Sequence, residues 1–257
     1  MRIATWNVNS ILAHEDQVLD WIEAERPDVL CLQETKVVDQ AFPEDGFGDL
    51  GYDVAFFGQP RYNGVAIASR AEMKDVFRGF AGAADTDDRR LIGATIDDIQ
   101  IISVYVPNGQ TLDSPQYPHK LAWLAELGAL IEPTMRAGAP LVVAGDFNVA
   151  PTDEDVWDIE AFRGATHVSE PERTAFEKLL DLGLTDALRH FQGADKRVYT
   201  FWDYQARAFE RDRGMRIDHM LISPSILERA TACVVDRAAR AEDKRSDHAP
   251  VVLDLAH

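Results

Sequence analysis

Two cysteines, Cys31 and Cys233, occur in 257 residues, too few for the disulfide framework of a small secreted scaffold. Cys31 lies inside the apolar run "VLCLQ", the setting of a buried reduced thiol. No segment is long and apolar enough to span a bilayer. The start, "MRIATWNVNS", alternates as a strand does and lacks the apolar run of a signal peptide. A cytoplasmic protein free of membranes is the expectation, nucleoid-associated if its source is bacterial. Repeats, low-complexity tracts and linkers are missing too, which points to one domain over residues 1–257. No cysteine–histidine spacing suits zinc.

Positive charge is scarce: 26 Lys and Arg stand against 44 Asp and Glu, for a net −18. That balance argues against indiscriminate long-range binding to polyphosphates. It leaves open an enzyme that grips nucleic acid through a few local cations. Candidates are Arg61, Arg89 and Arg90, Lys196 and Arg197, the run "RDRGMR" at 211–216, and Lys244 with Arg245. The expectation is a locally positive face around Lys36, Arg61, Arg213 and Arg216.

What is abundant is short β-branched runs bounded by turn residues. Strands are expected at 3–8, 28–33, 52–57, 64–69, 91–96, 99–106, 141–145, 216–222, 230–236 and 250–255. Asp97 and Asp98 between two of these suggest a hairpin, hence partly antiparallel pairing. Helices are fewer. Residues 15–25 carry Val18, Trp21 and Ile22 on one face, and Ser114-Pro115 opens a helix with Leu121, Leu124 and Leu127. Ser169 and Glu172 form a capping box before Phe176, and Gly183 stops that helix. Many strands, few helices and no internal boundary describe an α/β domain with sheets packed under helices.

Polar residues gather at the strand ends: Asn7 and Asn9, Gln33 and Glu34, Tyr105 and Asn108, Asp146 and Asn148. Residues two apart on an extended segment point the same way, so Asp146 and Asn148 converge. A carboxylate with an amide oxygen, as Glu34 with Asn7, suits Mg²⁺ or Mn²⁺. Taken singly, a strand cap explains Asn7, an ion pair with Lys36 explains Glu34, and turns explain "GDFN" and "VPNG". "SDHAP" at 246–250 likewise reads as a turn.

Together the blocks "TWNVNS", "CLQETK", "YNGVAIASR", "VYVPNG", "GDFNVAP", "YTFWDY", "RGMRIDHML" and "SDHAP" resemble the exonuclease III family of DNA-repair nucleases. That family is part of the endonuclease/exonuclease/phosphatase superfamily. The resemblance runs in family order from residue 5 to residue 250. It implies a four-layer α/β sandwich, two facing mixed sheets flanked by helices, with the site at one end of the strands. It also implies Glu34 and Asn7 as ligands of one or two Mg²⁺ or Mn²⁺ ions, Asp247 contributing. Asp146 would activate water, Asn148 orient it, and Tyr105 and Asn108 contact the scissile phosphate. His248 would polarise that phosphate. Neighbouring side chains on an extended segment diverge, so Asp247 is poorly placed to hold the ring of His248, and Asp218 is the candidate.

Lys36, Arg61, Asn63, Phe201, Trp202, Met215 and Ile217 are the expected substrate contacts. Phe201, Met215 and Ile217 would wall an apolar slot for a base-less sugar, although core packing explains Ile217 nearly as well. The segments 110–119 and 163–173 match loosely, and His119 and His167 there read as surface residues. The implied activity is metal-dependent hydrolysis of duplex DNA by a monomer: abasic-site incision, 3′→5′ digestion and cleaning of blocked 3′ ends. A phosphatase of the same superfamily acting on inositol phosphates, phospholipids or nucleotides shares Glu34, Asp146 and His248; "YVPNG" and the Phe201/Trp202 block argue against it. A catalytically silent nucleic-acid binder would be expected to have lost some of these residues, and none is missing.

Overall fold

The computed structural model describes residues 1–81, 88–241 and 245–256. The chain opens with β1 (Arg2–Asn7), α1 (Ile11–Glu25) and β2 (Val29–Gln33). After α2 (Glu44–Asp49) come β3 (Asp53–Phe57), β4 (Val65–Ser69), β5 (Lys74–Arg78), β6 (Leu91–Ile96) and β7 (Ile99–Tyr105). The long α3 (Gln116–Arg136) returns to β8 (Leu141–Asp146), and α4 (Glu170–Leu180) leads to β9 (Thr185–Asp186). The remainder is α5 (Ala187–Gln192), β10 (Asp218–Ile222), α6 (Pro224–Leu227), β11 (Ala230–Val235) and β12 (Val251–Leu255).

Two six-stranded sheets result, ordered β11-β12-β1-β2-β4-β3 and β5-β6-β7-β8-β10-β9. Each contains one parallel pair, β1 with β2 and β7 with β8, bridged by a helix that a parallel connection requires. The other pairings are antiparallel, and Asp97 and Asp98 form the β6–β7 turn with positive φ of 48° and 62°. Alternation along each strand sorts the layers. Ile3, Cys31, Ile101, Val142 and Met220 face the interior between the sheets. Trp6, Leu30 and Leu32 face outward onto Val18, Trp21 and Ile22 of α1. Val143 and Leu221 meet Trp123, Leu127, Phe176 and Leu179 of α3 and α4. This is the four-layer sandwich.

Local chemistry sets the ends of the elements. Trp21 anchors α1 by donating its indole N–H to Asp236 (2.7 Å). Ser169 and Glu172 complete the capping box of α4. The helix expected from Ser114-Pro115 starts one residue later, with Ser114 Oγ accepting from the Gln116 amide. β5 and β9 were not expected: "KDVFR" is half charged, as an edge strand is, and β9 has two residues. Lys244 lies outside the described residues.

Polar side chains cross the apolar interior beneath the strand ends. Gln33 donates its amide N–H to Ser103 and to Thr5, each at 3.0 Å, and Ser103 donates to the Leu32 carbonyl of the opposite sheet at 3.2 Å. Gly145 is a second special position. Its φ is +152°, and a Cβ there would meet the Val104 carbonyl oxygen at 1.9 Å. Any side chain would pry β8 from β7 next to the Tyr105–Asp146 pair.

Ile101 is fully buried in the middle of the inter-sheet layer. Ile101→Ala should destabilise the fold by about 2–5 kcal/mol. Chemical denaturation checks this, with a lower midpoint and an unchanged slope as the expected result.

Candidate active site

The topology explains why the chemistry-bearing residues meet. Parallel strands contribute their C-terminal ends to one edge of the sandwich, and antiparallel neighbours contribute their beginnings. Asn7 ends β1 and Gln33 ends β2, in register with each other, with Glu34 next. Tyr105 ends β7 beside Asp146 at the end of β8. β10 runs the other way, so its first residue, Asp218, is the register partner of Asp146. The start of β12 likewise lies against β1, which brings His248 to the same edge.

His248 Nδ1 lies 2.8 Å from Asp218 Oδ2, and its Nε2 lies 3.9 Å from Asp146 Oδ2. Asp247 does not hold the ring. It accepts from the Asn9 amide at 3.1 Å instead. Burial alone would lower the pKa of His248. The charge and hydrogen bond of Asp218, then Asp146 and Asp247, outweigh it and push the imidazole up to about 10. The ring is therefore an imidazolium at neutral pH, a hydrogen-bond donor and a poor metal ligand.

Asp146 is buried, and burial together with the Asp218 charge pushes its carboxyl up to about 7, with His248 opposing. A carboxylate poised near neutrality suits a general base. Its Oδ1 accepts from the Asn148 backbone N–H at 2.9 Å, and its Oδ2 from the Asn7 amide at 2.9 Å. Tyr105, half-buried under Arg90 at 4.6 Å, has its hydroxyl pKa raised well above the ordinary value by burial, then by Glu34 and Asp146. It is held as a neutral phenol, able to donate.

Asn148 meets Asp146 by a route other than the expected one. β8 ends at Asp146, and Asn148 has a left-handed φ of 51°. The two converge through a tight turn closed by Asp146 Oδ1, not along an extended strand.

The acidic groups at this edge form a donor set for a cation. Ligand atoms of Glu34, Asp146 and His248 lie within 4.8 Å of one another. Burial pushes Glu34 up, but Lys36, at 2.7 Å, and the Asn7 amide hold it below the usual carboxylate range. The carboxyl of Asp247 is raised, by burial first and further by Glu34. Hard carboxylate oxygens without thiolate or neutral imidazole fit a Mg²⁺- or Mn²⁺-type ion. Asn7 departs from the expected ligand role as oriented here. Its Nδ2 bridges Glu34 (2.8 Å) and Asp146, while its Oδ1 is taken by the Asn9 backbone N–H at 3.0 Å. Serving as an oxygen ligand would require the amide to turn over and forfeit the Asn9 bond.

Around this centre, Asn108 donates to Asn148 Oδ1 at 3.2 Å. Lys36 lies at the rim and donates its backbone N–H to the carbonyl of Asn63, which is buried, and Arg61 is exposed. Phe201 lays its ring 4.9 Å from that of His248. Met215 bridges to Phe201 through the backbone and is buried.

Two expected contacts and one expected surface cation fall elsewhere. Ile217 is 2% exposed and Trp202 1% exposed, so neither walls an open slot. Ile217 packs with Ala150 and Val156, and Trp202 packs among Tyr199, Ala208 and Ala249 with its indole N–H on Asp212. Arg216 is not part of a positive face. It is buried between Asp155 and Asp186, because a guanidinium without water needs carboxylates. Arg213 lies on the surface, over the Trp157 ring at 4.6 Å.

One residue read as surface belongs here. His119 is exposed, but His167 Nε2 lies 3.1 Å from both Asn108 Nδ2 and Asn148 Oδ1. Burial, then the Lys120 charge, pulls its pKa down to about 4, so the ring is neutral and serves one partner at a time. The loop "GATHVS" carries no periodic signal that marks this.

The chain belongs to the endonuclease/exonuclease/phosphatase family, which it matches over residues 4–248. It is 32% identical to exodeoxyribonuclease III of Haemophilus influenzae, over 98% of both chains. Among solved structures it resembles the 3′ phosphatase NExo from Neisseria bound to a product DNA hairpin, with a TM-score of 0.97 and 40% identity over the whole of both chains. It also resembles an AP endonuclease from Archaeoglobus fulgidus, with a TM-score of 0.94 and 41% identity over 99% of each chain.

The His248–Asp218 pair makes a pH prediction for metal-free protein. A histidine raised from 6.5 to about 10 contributes stability fully present below pH 6.5 and lost as pH rises through 10. Asp218→Asn should move the His248 titration down, read by NMR in chelator. It should also flatten the loss of denaturation midpoint across that window.

Proposed function

We propose that this chain is a divalent-metal-dependent DNA-repair phosphodiesterase that acts on duplex DNA at 3′ ends and at abasic sites. The observation that carries the reading is one edge where a near-neutral carboxylate, Asp146, faces an imidazolium, His248, with Glu34 close to both. Phosphodiester hydrolysis needs a base for water and positive charge for the phosphoryl oxygens.

In this reading Asp146 takes the proton of the attacking water, and the turn at Asn148 orients that water beside it. His248 donates to a non-bridging phosphate oxygen while Asp218 fixes its ring and charge. The Tyr105 phenol and the Asn108 amide donate to the same phosphate. Glu34 and Asp247 are the groups that would hold the metal, with Asn7 either turned to join them or bridging carboxylates. One or two Mg²⁺ or Mn²⁺ ions would, when bound, neutralise charge building on the phosphate and leaving oxygen. Phe201, backed by the buried Met215, offers an apolar wall beside His248, and Lys36 and Arg61 form the rim toward the DNA with the buried Asn63 behind them.

The similarity to a 3′ phosphatase and to an AP endonuclease supports DNA over inositol phosphates or lipids as substrate. The reading is completed by a single monomeric catalytic domain working in the cytoplasm, on the nucleoid if the source is bacterial. Two buried free thiols suit a reducing compartment. No helix among the described residues is long and apolar enough to cross a membrane.

The test uses 5′-labelled duplexes bearing a 3′-phosphate, a recessed 3′-hydroxyl or one abasic site, each with Mg²⁺ and with excess EDTA. Cleavage of at least one with Mg²⁺ and none in EDTA is expected; full activity in chelator rejects the metal reading. Asp146→Asn should lower turnover by about 10²–10⁴-fold and leave DNA binding equal or tighter. Near wild-type turnover would remove Asp146 from the mechanism.

A further inference from the structure

A buried ion pair in the outer helical layer has no part in the chemistry above. Lys120 of α3 and Glu172 of α4 are both fully buried, with Lys120 Nζ 2.5 Å from Glu172 Oε1. The ammonium has three donors, and each is used. One goes to Glu172, one to the Asn148 carbonyl at 2.6 Å, and one to the Asn108 carbonyl at 3.2 Å. Glu172 gathers a third loop through the same Oε1. It accepts from the Thr166 hydroxyl at 2.6 Å and the His167 backbone N–H at 2.9 Å, while its other oxygen caps α4 through Ser169.

The partners of this pair are the feature that matters. Asn108, Asn148 and His167 come from three different loops, and their side chains meet beside Asp146. A buried salt bridge is weak evidence for stability, because a well-packed apolar pair of similar volume often does as well. An apolar pair cannot aim at three loops. Directed hydrogen bonds can, since they fix angle as well as distance.

We propose that Lys120 and Glu172 are positioning residues, clamping the Asn108, Asn148 and His167 loops into one arrangement against the scissile phosphate. This rests on the phosphodiesterase reading for its kinetic consequence, and on the clamp alone for its structural one. Lys120 and Glu172 touch no reacting atom and act through the loop backbone. A misplacement on the ångström scale at such loops is enough to slow chemistry without weakening DNA binding.

Removing one partner alone strands the other charge, so Lys120→Met by itself is a poor probe. The double variant Lys120→Met/Glu172→Gln removes both charges and keeps similar volume. The expected result is a thermal midpoint near that of wild type, kcat on the preferred DNA substrate lower by about 10- to 100-fold, and KM within about twofold. Amide hydrogen exchange should quicken in segments 106–109, 147–150 and 164–169 and little elsewhere. A large drop in midpoint with wild-type kcat in the folded enzyme would make the pair merely structural and overturn the proposal.

If the double variant does not fold, Thr166→Val keeps shape and removes the hydroxyl whose one proton is shared between Glu172 and the Asn108 carbonyl. A loss of about threefold in kcat and faster exchange in the same segments are then expected. Wild-type kcat and exchange would overturn the clamp. A wild-type protein inactive on every DNA substrate would instead reject the functional reading, while the exchange data would still decide whether the loops are clamped.

Discussion

Two carboxylates occupy register-paired positions on neighbouring strands, and a protonated imidazole holds them there. Asp146 and Asp218 are partners across β8 and β10, where two negative charges disfavour each other. His248 answers both, at 2.8 Å from one and 3.9 Å from the other. The rest of the centre hangs from this arrangement. Asn7 ties Asp146 to Glu34 and so carries the network from one sheet to the other. Glu34 in turn holds Lys36, which joins the loop bearing Asn63. Neutralise the imidazole and two buried negative charges face each other without a mediator.

The same logic governs cations away from the centre. A chain with net −18 does not leave its arginines free by default. Arg216 is enclosed by Asp155 and Asp186, and Arg189 shares Asp155. Other arginines lie on aromatic rings: Arg213 over Trp157, Arg90 over Tyr105, and Arg237 over Trp202. Counting basic residues in sequence therefore overstates the charge available to a polyanion. Which guanidinium faces outward depends on contacts made by distant segments.

Most strands were legible because β-branched runs between turn residues can do little else when both faces are buried. The Asp97–Asp98 hairpin was legible for the same local reason. Strand-end polarity pointed to the right edge of the sandwich; the divergence of adjacent side chains spoke against Asp247, and the family resemblance supplied Asp218. Legibility stopped where identity and burial separate. Met215 and Ile217 look like slot residues in sequence, yet both are packed with Ala150 and Val156 in one buried cluster. Lys120 drew no reading from the sequence, Glu172 read as a cap, and His167 as a surface residue. Their meeting depends on how α3 and α4 dock, which no local pattern encodes.

The polar rung of Gln33, Thr5 and Ser103 changes what the sandwich is mechanically. Apolar faces attract without direction, so their burial alone sets no hydrogen-bond register between the two sheets. A hydrogen-bonded rung behaves as a dowel, because slip lengthens the bonds between Gln33, Ser103 and the Leu32 carbonyl. It sits immediately beneath Glu34, where the two sheets must present their groups in common alignment. The sandwich is thus pinned directly beneath the edge that carries the chemistry.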